Sequence, residues 1–193
     1  NEQLKGLKFI DPLYKAIQEK KAIDISYQSF TAAEPKSMVL HPQLLKEFNN
    51  RWFLLCSNGR TYVNLALDRI AEISLAPHVN YIDLGVDGDV FYRDVIGVTV
   101  SKSRPIRVQF WIDKKNAPYV ITKPFHNSQR IIEEREDGVI FNIFVQQNFE
   151  LERMILGFGD AIEVLKPKRL RERILRKLNK SINNYNSKTE RLT

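Results

Sequence analysis

Six side chains in the first 70 residues have the chemistry to bind an anionic ligand. A guanidinium group binds phosphate through two parallel hydrogen bonds and stays charged, and a neighbouring aromatic ring can stack on a base. The chain offers three arginines together with two aromatic residues and a histidine. This combination predicts a site that suits a nucleic-acid-like ligand. The candidate ligand-binding residues are Tyr27, His41, Arg51, Trp52, Arg60 and Arg69.

Each candidate also has a purely structural interpretation. Trp52 lies in an apolar run, and a tryptophan of a small domain is more often a core residue than a stacking platform, so a core position is favoured for it. Arg69 could form an ion pair with the adjacent Asp68, and exposed pairs of that kind stabilise by only about 0 to 1 kcal/mol. For Arg51 and Arg60, the residues alone leave ligand binding and a structural role equally open.

Neither catalysis nor metal binding is predicted. The three histidines are far apart in sequence, and none has a second His, Cys or carboxylate at metal-ligand spacing. No serine lies in a Gly-x-Ser-x-Gly context, and no Gly-rich phosphate loop precedes a helix. The single cysteine, Cys56, lies within an apolar run and is interpreted as a core residue. We therefore expect a binding protein without a cofactor, not an enzyme.

The net charge of +7 is concentrated at the C-terminal end of the chain. Residues 166–193 carry ten basic and two acidic side chains, whereas the rest carries 20 basic and 21 acidic ones. A helix is predicted over residues 167–183. Its cations could contact phosphates or simply face solvent, and the second interpretation is favoured because charge runs are usually solvated. The apolar face of this helix is formed by residues spaced four apart: Leu170, Ile174, Leu178 and Ile182.

The first 75 residues are expected to form one helix and five short strands. The helix begins at Asp11-Pro12, an N-cap acceptor followed by proline at the first helical position, and ends near Lys21. Asn58-Gly59 predicts a two-residue turn of type I′, and Asn49-Asn50 is a weaker signal for the same turn. Five sequential strands favour a small closed barrel of the SH3 or Sm type, since closure removes exposed edges. The predicted strands cover 23–30, 38–45, 52–57, 61–66 and 70–75.

A second pattern begins after residue 104. Residues 76–104 lose the strand alternation and are expected to be a connection with one short helical piece over 91–95. The order strand, helix, strand, strand, helix, strand then follows, which is the ferredoxin-like βαββαβ arrangement. The fold class is therefore α+β, with a barrel followed by a ferredoxin-like domain. The elements of the second domain are predicted over 106–112, 113–121, 128–135, 139–146, 148–158 and 161–165.

Several spaced motifs resemble those of the WYL-domain family of bacterial transcription regulators. Arg51-Trp52-Phe53-Leu54 stands where the family has its name-giving Trp-Tyr-Leu, and Leu67-Asp68-Arg69-Ile70 is similar to the Leu-Asp-Arg-Ile that ends its arginine-rich strand. Two departures are visible, because Phe53 replaces the tyrosine and Asn64 stands where many members have another arginine. Further matches to the WYL pattern are Ile25-Ser26-Tyr27, Leu40-His41-Pro42 and Arg60-Thr61-Tyr62. Residues 124–129, 148–151, 157–159 and 166–171 resemble the C-terminal extension of the family, called WCX.

The resemblance implies a regulator in which an N-terminal helix-turn-helix binds DNA and the WYL domain senses a nucleotide or single-stranded nucleic-acid effector. It also implies that the WCX extension helps to form a homodimer. No helix-turn-helix can be fitted before residue 11, so the DNA-binding part is expected to be absent from these residues. The alternative is a module that binds nucleic acid directly through the barrel and the basic C-terminal helix.

The expected domain boundaries combine the patterns with the resemblance. An N-terminal remnant covers 1–10, the WYL barrel 11–83, a linker 84–104, the WCX domain with its basic helix 105–183, and a tail 184–193. No apolar run approaches the roughly 18 residues needed to cross a bilayer, and no secretion leader opens the sequence. We therefore expect a cytoplasmic protein with no membrane partner.

Overall fold

The computed structural model describes residues 5–186. The chain divides into two compact units between Arg93 and Asp94. Each unit combines helices with one antiparallel sheet, as the predicted α+β class requires. The residues expected to form a linker, 84–104, are therefore shared between the two units. The predicted N-terminal remnant (1–10) and tail (184–193) lie partly outside the described residues.

The first unit contains one main helix and five strands, as predicted. Helix α1 is preceded by a 3₁₀ turn at Leu7–Phe9, and Asp11 lies inside its first turn rather than at the N-cap, which is Phe9. A second 3₁₀ turn, Leu67–Arg69, joins the fourth and fifth strands. The elements are α1 (Ile10–Gln18), β1 (Ile23–Tyr27), β2 (Lys36–Phe48), β3 (Arg51–Ser57), β4 (Tyr62–Ala66), β5 (Ile70–Leu75) and α2 (Gly88–Tyr92).

Strand β2 is the longest strand because it pairs with two neighbours in turn. Its first five residues pair with β1, and the residues from His41 onwards pair with β3. A bulge between Pro42 and Leu44 follows the change of partner. The resulting sheet has the order β4-β3-β2-β1-β5. Its core lies against α1 and includes Leu13, Ile25 and Leu54, each with no exposed surface.

The prediction of a closed barrel is wrong. A flat five-stranded sheet would separate its outer strands by about 19 Å, whereas the three residues of Leu67–Arg69 can bridge at most about 14 Å between β4 and β5. The sheet must therefore be rolled. However, β4 and β5 are its two ends and form no ladder with each other within the described residues. The residues between these two strands form a 3₁₀ turn and do not extend either strand, so the rolled sheet is not closed by pairing of β4 with β5.

The tight turn of this sheet lies at Asn49-Asn50, not at Asn58-Gly59. Asn49 and Asn50 have positive φ values of 51° and 60°, and they are the two residues between β2 and β3. A type I′ turn requires positive φ at both positions. Between β3 and β4, by contrast, four residues form a wider loop in which the Asn58 carboxamide oxygen accepts hydrogen bonds from the N–H groups of Arg60 (3.1 Å) and Thr61 (2.9 Å). The prediction for Asn58-Gly59 is therefore wrong.

Residues 79–92, which we call the strap, cover the face of β2, β3 and β4 that points away from α1. The Tyr81 hydroxyl donates to the Pro42 carbonyl (2.6 Å), and the rings of Tyr62 and Phe91 meet edge to face at 5.0 Å. A Cβ on Gly88 would lie 2.8 Å from Leu44 Cδ2, so helix α2 approaches the sheet as closely as a glycine allows. The first unit therefore buries both faces of β3, which explains why Leu55, on the strap side, has no exposed surface.

The second unit has the element order βαββαβ that the pattern predicts, followed by the long helix. All strand pairs are antiparallel, and the sheet order is β7-β8-β6-β9. Helix α3 begins four residues later than predicted, because Asp113 accepts hydrogen bonds from Asn116 and forms a turn there. The elements are β6 (Ile106–Asp113), α3 (Ala117–Thr122), β7 (Arg130–Glu134), β8 (Gly138–Val145), α4 (Phe149–Gly157), β9 (Ile162–Lys166) and α5 (Lys168–Asn186).

A search of the helices within residues 5–186 finds none with the length and apolar character needed to span a membrane.

Candidate functional site

The six predicted ligand-binding residues lie at the two ends of β3 rather than in one pocket. Arg51 is the first residue of β3, and Arg60 lies in the loop after its last residue, Ser57. At about 3.3 Å per residue, the Cα atoms of Arg51 and Ser57 are about 20 Å apart. Arg51 and Arg60 therefore cannot hold the same phosphate group. His41 pairs with Ser57 and so belongs to the Arg60 end.

Four of the six candidates meet around the 3₁₀ turn Leu67–Arg69. Strand register produces this arrangement: Phe53 pairs with Ala66, which places the start of β3 beside the turn, and Tyr27 pairs with Ile70 at the turn's other side. The Gln28 N–H also donates to the Arg69 carbonyl (3.1 Å). We call this group the turn site, and it consists of Tyr27, Phe30, Arg51, Trp52, Asp68 and Arg69.

Arg69 is partly buried and contacts an exposed aromatic residue that the sequence did not single out, Phe30. Its guanidinium carbon lies 3.8 Å from the centroid of the Phe30 ring, a cation–π contact. Phe30 is 76% exposed, whereas Arg69 is partly buried beneath it. The Arg69 Nε atom is buried and has no hydrogen-bond partner among the described residues.

Arg51 is held by the carboxylate that was expected to pair with Arg69. The Arg51 Nε atom is 3.1 Å from Asp68 Oδ2, with the Arg51 side chain 46% exposed. The other carboxylate oxygen, Oδ1, is buried and lacks a hydrogen-bond partner within residues 5–186. The Arg51 end of the pair is accessible, but the Asp68 side chain is only 20% exposed. A phosphate group that displaced Asp68 would leave this carboxylate unpaired beside a second anion, so it would have to approach Arg51 from the exposed side.

The aromatic residues Tyr27 and Trp52 lie at the edge of the core. Both are half-buried and pack against the cluster that includes Ile25 and Leu54. The favoured interpretation of Trp52 as a core residue agrees with this packing.

The turn site also lies against the segment that enters α1. A Cβ on Gly6 would lie 2.6 Å from the Leu67 carbonyl carbon and 2.7 Å from the Asp68 backbone nitrogen. Gly6 has a φ of +97°, which favours glycine as well. The chain that precedes α1 is therefore in close contact with the turn that carries Asp68 and Arg69.

His41 and Arg60, at the other end of β3, have different surroundings. His41 is 4% exposed, and its Nδ1 atom accepts a hydrogen bond from the Ile82 N–H of the strap (3.3 Å). Its ring meets Tyr81 edge to face at 5.8 Å. Burial lowers the pKa of His41, which favours the neutral imidazole that this acceptor role needs. Arg60 is exposed. This end of β3 thus holds the strap in place.

Metal-ligating side chains are not clustered in the part of the chain that the structure describes. Across residues 5–186, no three His, Cys, Asp or Glu side chains lie close enough to hold a metal ion. Cys56 is fully buried in the core of the first unit, as predicted, and burial raises the pKa of its thiol to about 12. A thiol in that state is a poor nucleophile at neutral pH.

Comparison with family models matches the chain in two places. Residues 8–75 match the WYL domain, and residues 104–181 match the WCX domain. The chain therefore belongs to the family of proteins in which a WYL domain is followed by a WCX domain. The turn site lies entirely within the WYL match, and the WCX match ends at residue 181, within α5. A comparison with curated proteins finds no match.

Two solved structures are similar to the chain along most of its length. One is proteasome accessory factor B/C (PafBC) of Arthrobacter aurescens, at 15% identity and a TM-score of 0.37, covering 93% of this chain and 27% of that one. The other is a CRISPR Cas-related protein, at 12% identity and a TM-score of 0.51, covering 93% of this chain and 51% of that one. The second similarity is one of fold alone. The chain thus spans about a quarter and about half of these two structures.

Proposed function

We propose that the chain is the effector-binding and dimerising part of a cytoplasmic bacterial transcription regulator. In this proposal the effector is a nucleotide or a short single-stranded nucleic acid, and it binds at the turn site of the WYL domain. DNA is contacted by an N-terminal helix-turn-helix, as the WYL resemblance implies. The second unit is a ferredoxin-like WCX domain that contributes to the dimer. The role is one of binding, without catalysis.

The observation that carries the proposal is the stacking of the partly buried Arg69 on the exposed Phe30 ring beside the turn. Arg69 carries a positive charge above an aromatic ring that is itself exposed, so one ligand could meet both a phosphate-binding fork and a stacking surface. Arg51, whose side chain is 46% exposed, adds a second guanidinium group beside the turn. Arginine beside an aromatic is the combination that sequence-tolerant binders of single strands use.

The contact between Gly6 and the turn suggests how binding would be transmitted. A ligand that engages Arg69 acts on the turn whose backbone packs against the segment entering α1. If this segment leads to a DNA-binding part, the ligand would favour one arrangement of that part over another. The size of the effect is limited by the difference in the ligand's affinity for the two arrangements.

The proposal can be tested by fluorescence anisotropy with a labelled single-stranded oligonucleotide, using free mono- and dinucleotides as competitors. Arg69→Ala is expected to weaken binding by at least about tenfold, because a lost charge-assisted contact costs roughly 1.5–3 kcal/mol. The matched control is Arg60→Ala, which removes the same charge from an exposed arginine at the other end of β3. Equal weakening by both variants, or no binding by the unmodified chain, would refute the turn site as the effector site.

The alternative, direct nucleic-acid binding through the basic helix, is weakened by the contacts of α5. Glu152 is 10% exposed at its side chain and lies 2.7 Å from both Arg173 Nε and Lys177 Nζ. Arg171 pairs with Glu163, and Lys168 pairs with Glu172. Part of the helix charge is thus neutralised by carboxylates within the second unit. The alternative predicts that Arg176→Ala weakens binding as much as Arg69→Ala does, whereas the effector proposal predicts little change.

A further inference from the structure

The sheet of the second unit packs against helices on one of its two faces. Alternate residues of its central strands, among them Val108, Phe110 and Phe141, form a core to which α3, α4 and α5 all contribute buried residues. Because successive side chains of a strand point to opposite faces, the residues between these core positions lie on the other face. We call it the open face, and its central strands contribute Arg107, Gln109, Trp111, Ile140, Asn142 and Phe144.

Two aromatic rings lie on the open face. Phe144 is 48% exposed. The Trp111 indole lies over Gly138, because a Cβ at that glycine would be 2.6 Å from Trp111 Nε1 and 2.9 Å from its Cε2. One side of the indole is thus packed on the sheet, and the residue as a whole is half-buried. Trp111 pairs with Ile140, four residues before Phe144, so the two aromatic positions are about 14 Å apart along the strands. Aromatic residues on the central strands of a four-stranded sheet can stack two or three bases of a single strand.

A row of polar side chains crosses the open face between the two rings. Gln109 pairs with Asn142, and Asn142 pairs in turn with Arg130 of the edge strand β7. The Asn142 Oδ1 atom is buried and has no hydrogen-bond partner among the described residues. A carboxamide both donates and accepts hydrogen bonds, as the edges of bases require. Two carboxamides therefore lie where the bases between the rings would present their edges.

The positive charges of the open face lie at its Phe144 end. Arg107 pairs directly with Phe144, and Arg130 is anchored at the start of β7 by hydrogen bonds to two backbone carbonyls. Both arginines are exposed and form no ion pair within residues 5–186. The carboxylates of the face lie at the Trp111 end and are already engaged: Glu133 by Arg135, Glu163 by Arg171 and Asp113 by Asn116. An anion is therefore attracted to the Phe144 end.

We propose that the open face binds a single-stranded nucleic acid of about four nucleotides or more, with bases stacked on Trp111 and Phe144 and phosphates held by Arg107 and Arg130. This goes beyond the proposed function, which places one small effector at the turn site of the WYL domain. The rings match the faces of the bases, the carboxamides match their edges and the arginines match the phosphates. An acidic polypeptide would be attracted to the arginines but would make no use of the two rings.

The first test measures the anisotropy of a labelled strand of about nine nucleotides with the whole chain carrying Arg69→Ala, which weakens the turn site. This chain is expected to bind the strand still. Adding Phe144→Ala is expected to weaken binding at least about fivefold, because one stacked base is lost. The matched control is Phe149→Ala, which removes a 63% exposed phenyl ring from α4 and is expected to change binding less than about twofold. Quenching of tryptophan fluorescence by the strand reports stacking on Trp111, and Trp111→Phe is expected to remove it.

The second test uses the salt dependence of the same binding. Each phosphate contact on a single strand contributes about −0.7 to the slope of the logarithm of the binding constant against the logarithm of the salt concentration. Arg107→Ala is therefore expected to make the slope shallower by about 0.7. Arg153→Ala is the matched control, since it removes an exposed arginine from α4, and it is expected to leave the slope unchanged.

Four outcomes would overturn the proposal. The first is that the Arg69→Ala chain does not bind the long strand, as RNA or as DNA of the same sequence. The second is equal affinity for a duplex, whose bases are not available for stacking. The third is that polyglutamate displaces the strand as well as an unlabelled strand does, which would assign the face to an acidic polypeptide. The fourth is equal weakening by Phe144→Ala and Phe149→Ala, which would place the strand elsewhere.

The open face and the turn site are separated by the length of the strand. A strand of at most about three nucleotides is too short to engage both rings of the open face and its arginines, so turn-site measurements, including their salt dependence, use strands of that length. Phe144→Ala is expected to leave the binding of such a short strand unchanged. Failure of the turn site therefore does not alter the result with the long strand, and the converse also holds.

Discussion

Salt dependence of nucleic-acid binding separates the turn site from the basic helix more sharply than affinity does. A protein that neutralises phosphates releases counterions, so the logarithm of its binding constant falls linearly with the logarithm of the salt concentration, with a slope of about −0.7 per phosphate contact for single strands. The turn site offers two guanidinium groups, those of Arg51 and Arg69. The expected slope is therefore about −1.4.

The slope translates into an effect that is easily measured. Between 50 and 200 mM salt, two contacts weaken binding about sevenfold, and Arg69→Ala, which leaves one contact, weakens it only about threefold. If α5 also contacted the strand through the three cations that form no ion pair within residues 5–186, five contacts would weaken binding about a hundredfold. These three cations are Arg169, Arg176 and Lys180.

Anisotropy titrations of a labelled single strand at four or five salt concentrations give the slope directly. The Arg60→Ala variant serves as the control, and its slope is expected to equal that of the unmodified chain. A slope near −3.5 for the unmodified chain, or an unchanged slope for Arg69→Ala, would refute the assignment of binding to the turn site.

Three further predictions concern the stability of the two units. Gly138→Ala places a Cβ 2.1 Å from the Ile112 carbonyl oxygen and is expected to destabilise the second unit by about 1–3 kcal/mol in thermal unfolding; Gly157→Ala, with open space around the added carbon, should show almost no loss. The neutral His41 ring accepts a hydrogen bond in the folded state, and burial lowers its pKa there. As the pH falls, the histidine of the unfolded chain is therefore protonated at a higher pH than that of the folded chain, and the free energy of unfolding is expected to decrease below about pH 6.5. Urea unfolding at several pH values measures this decrease, and His41→Gln is expected to remove it. Glu152→Gln leaves two cations of α5 without their carboxylate and is expected to lower the free energy of unfolding by about 1–2 kcal/mol, less than for fully buried pairs because the cations reach solvent.

Each stability prediction has an outcome that contradicts it. Equal melting temperatures for Gly138→Ala and Gly157→Ala would mean that the hairpin after β7 relaxes around the added carbon. A pH dependence that persists in His41→Gln would assign it to carboxylates instead. If the free energy of unfolding of Glu152→Gln equals that of the unmodified chain, the ion pairs of α5 with Glu152 contribute nothing measurable to stability.

Local patterns in the sequence were sufficient to predict the elements but not the partners of each strand. Alternation identified five strands in the first unit and the βαββαβ order of the second. It did not reveal that β2 runs from Lys36 to Phe48, because the strand changes its partner at His41 and the bulge after Pro42 breaks the alternation. Nor could local propensity rank the two turns correctly. Asn58-Gly59 is the stronger signal in isolation, yet strand register requires the two-residue turn at Asn49-Asn50.

The candidate site was predicted in its chemistry but only partly in its membership. Arg51 pairs with Asp68 and Arg69 is the next residue of the same turn, whereas Arg60 is separated from them by the length of β3. Sequence spacing gives no measure of this distance, because register is a long-range property. Phe30 was included in a predicted strand, but β1 ends at Tyr27 and the following loop carries the ring back over Arg69. The alternation of apolar and polar residues in the sequence does not predict that a loop brings Phe30 back to Arg69.

Because its thiol is buried, Cys56 can be used to measure how often the first unit opens. The chain contains one cysteine, and that cysteine has no exposed surface and a thiol pKa raised to about 12. Thiol-directed reagents can therefore modify the protein only while the WYL domain is open. The rate of labelling under native conditions measures how often this domain opens, and a ligand that binds the closed form would slow the labelling without any probe being introduced.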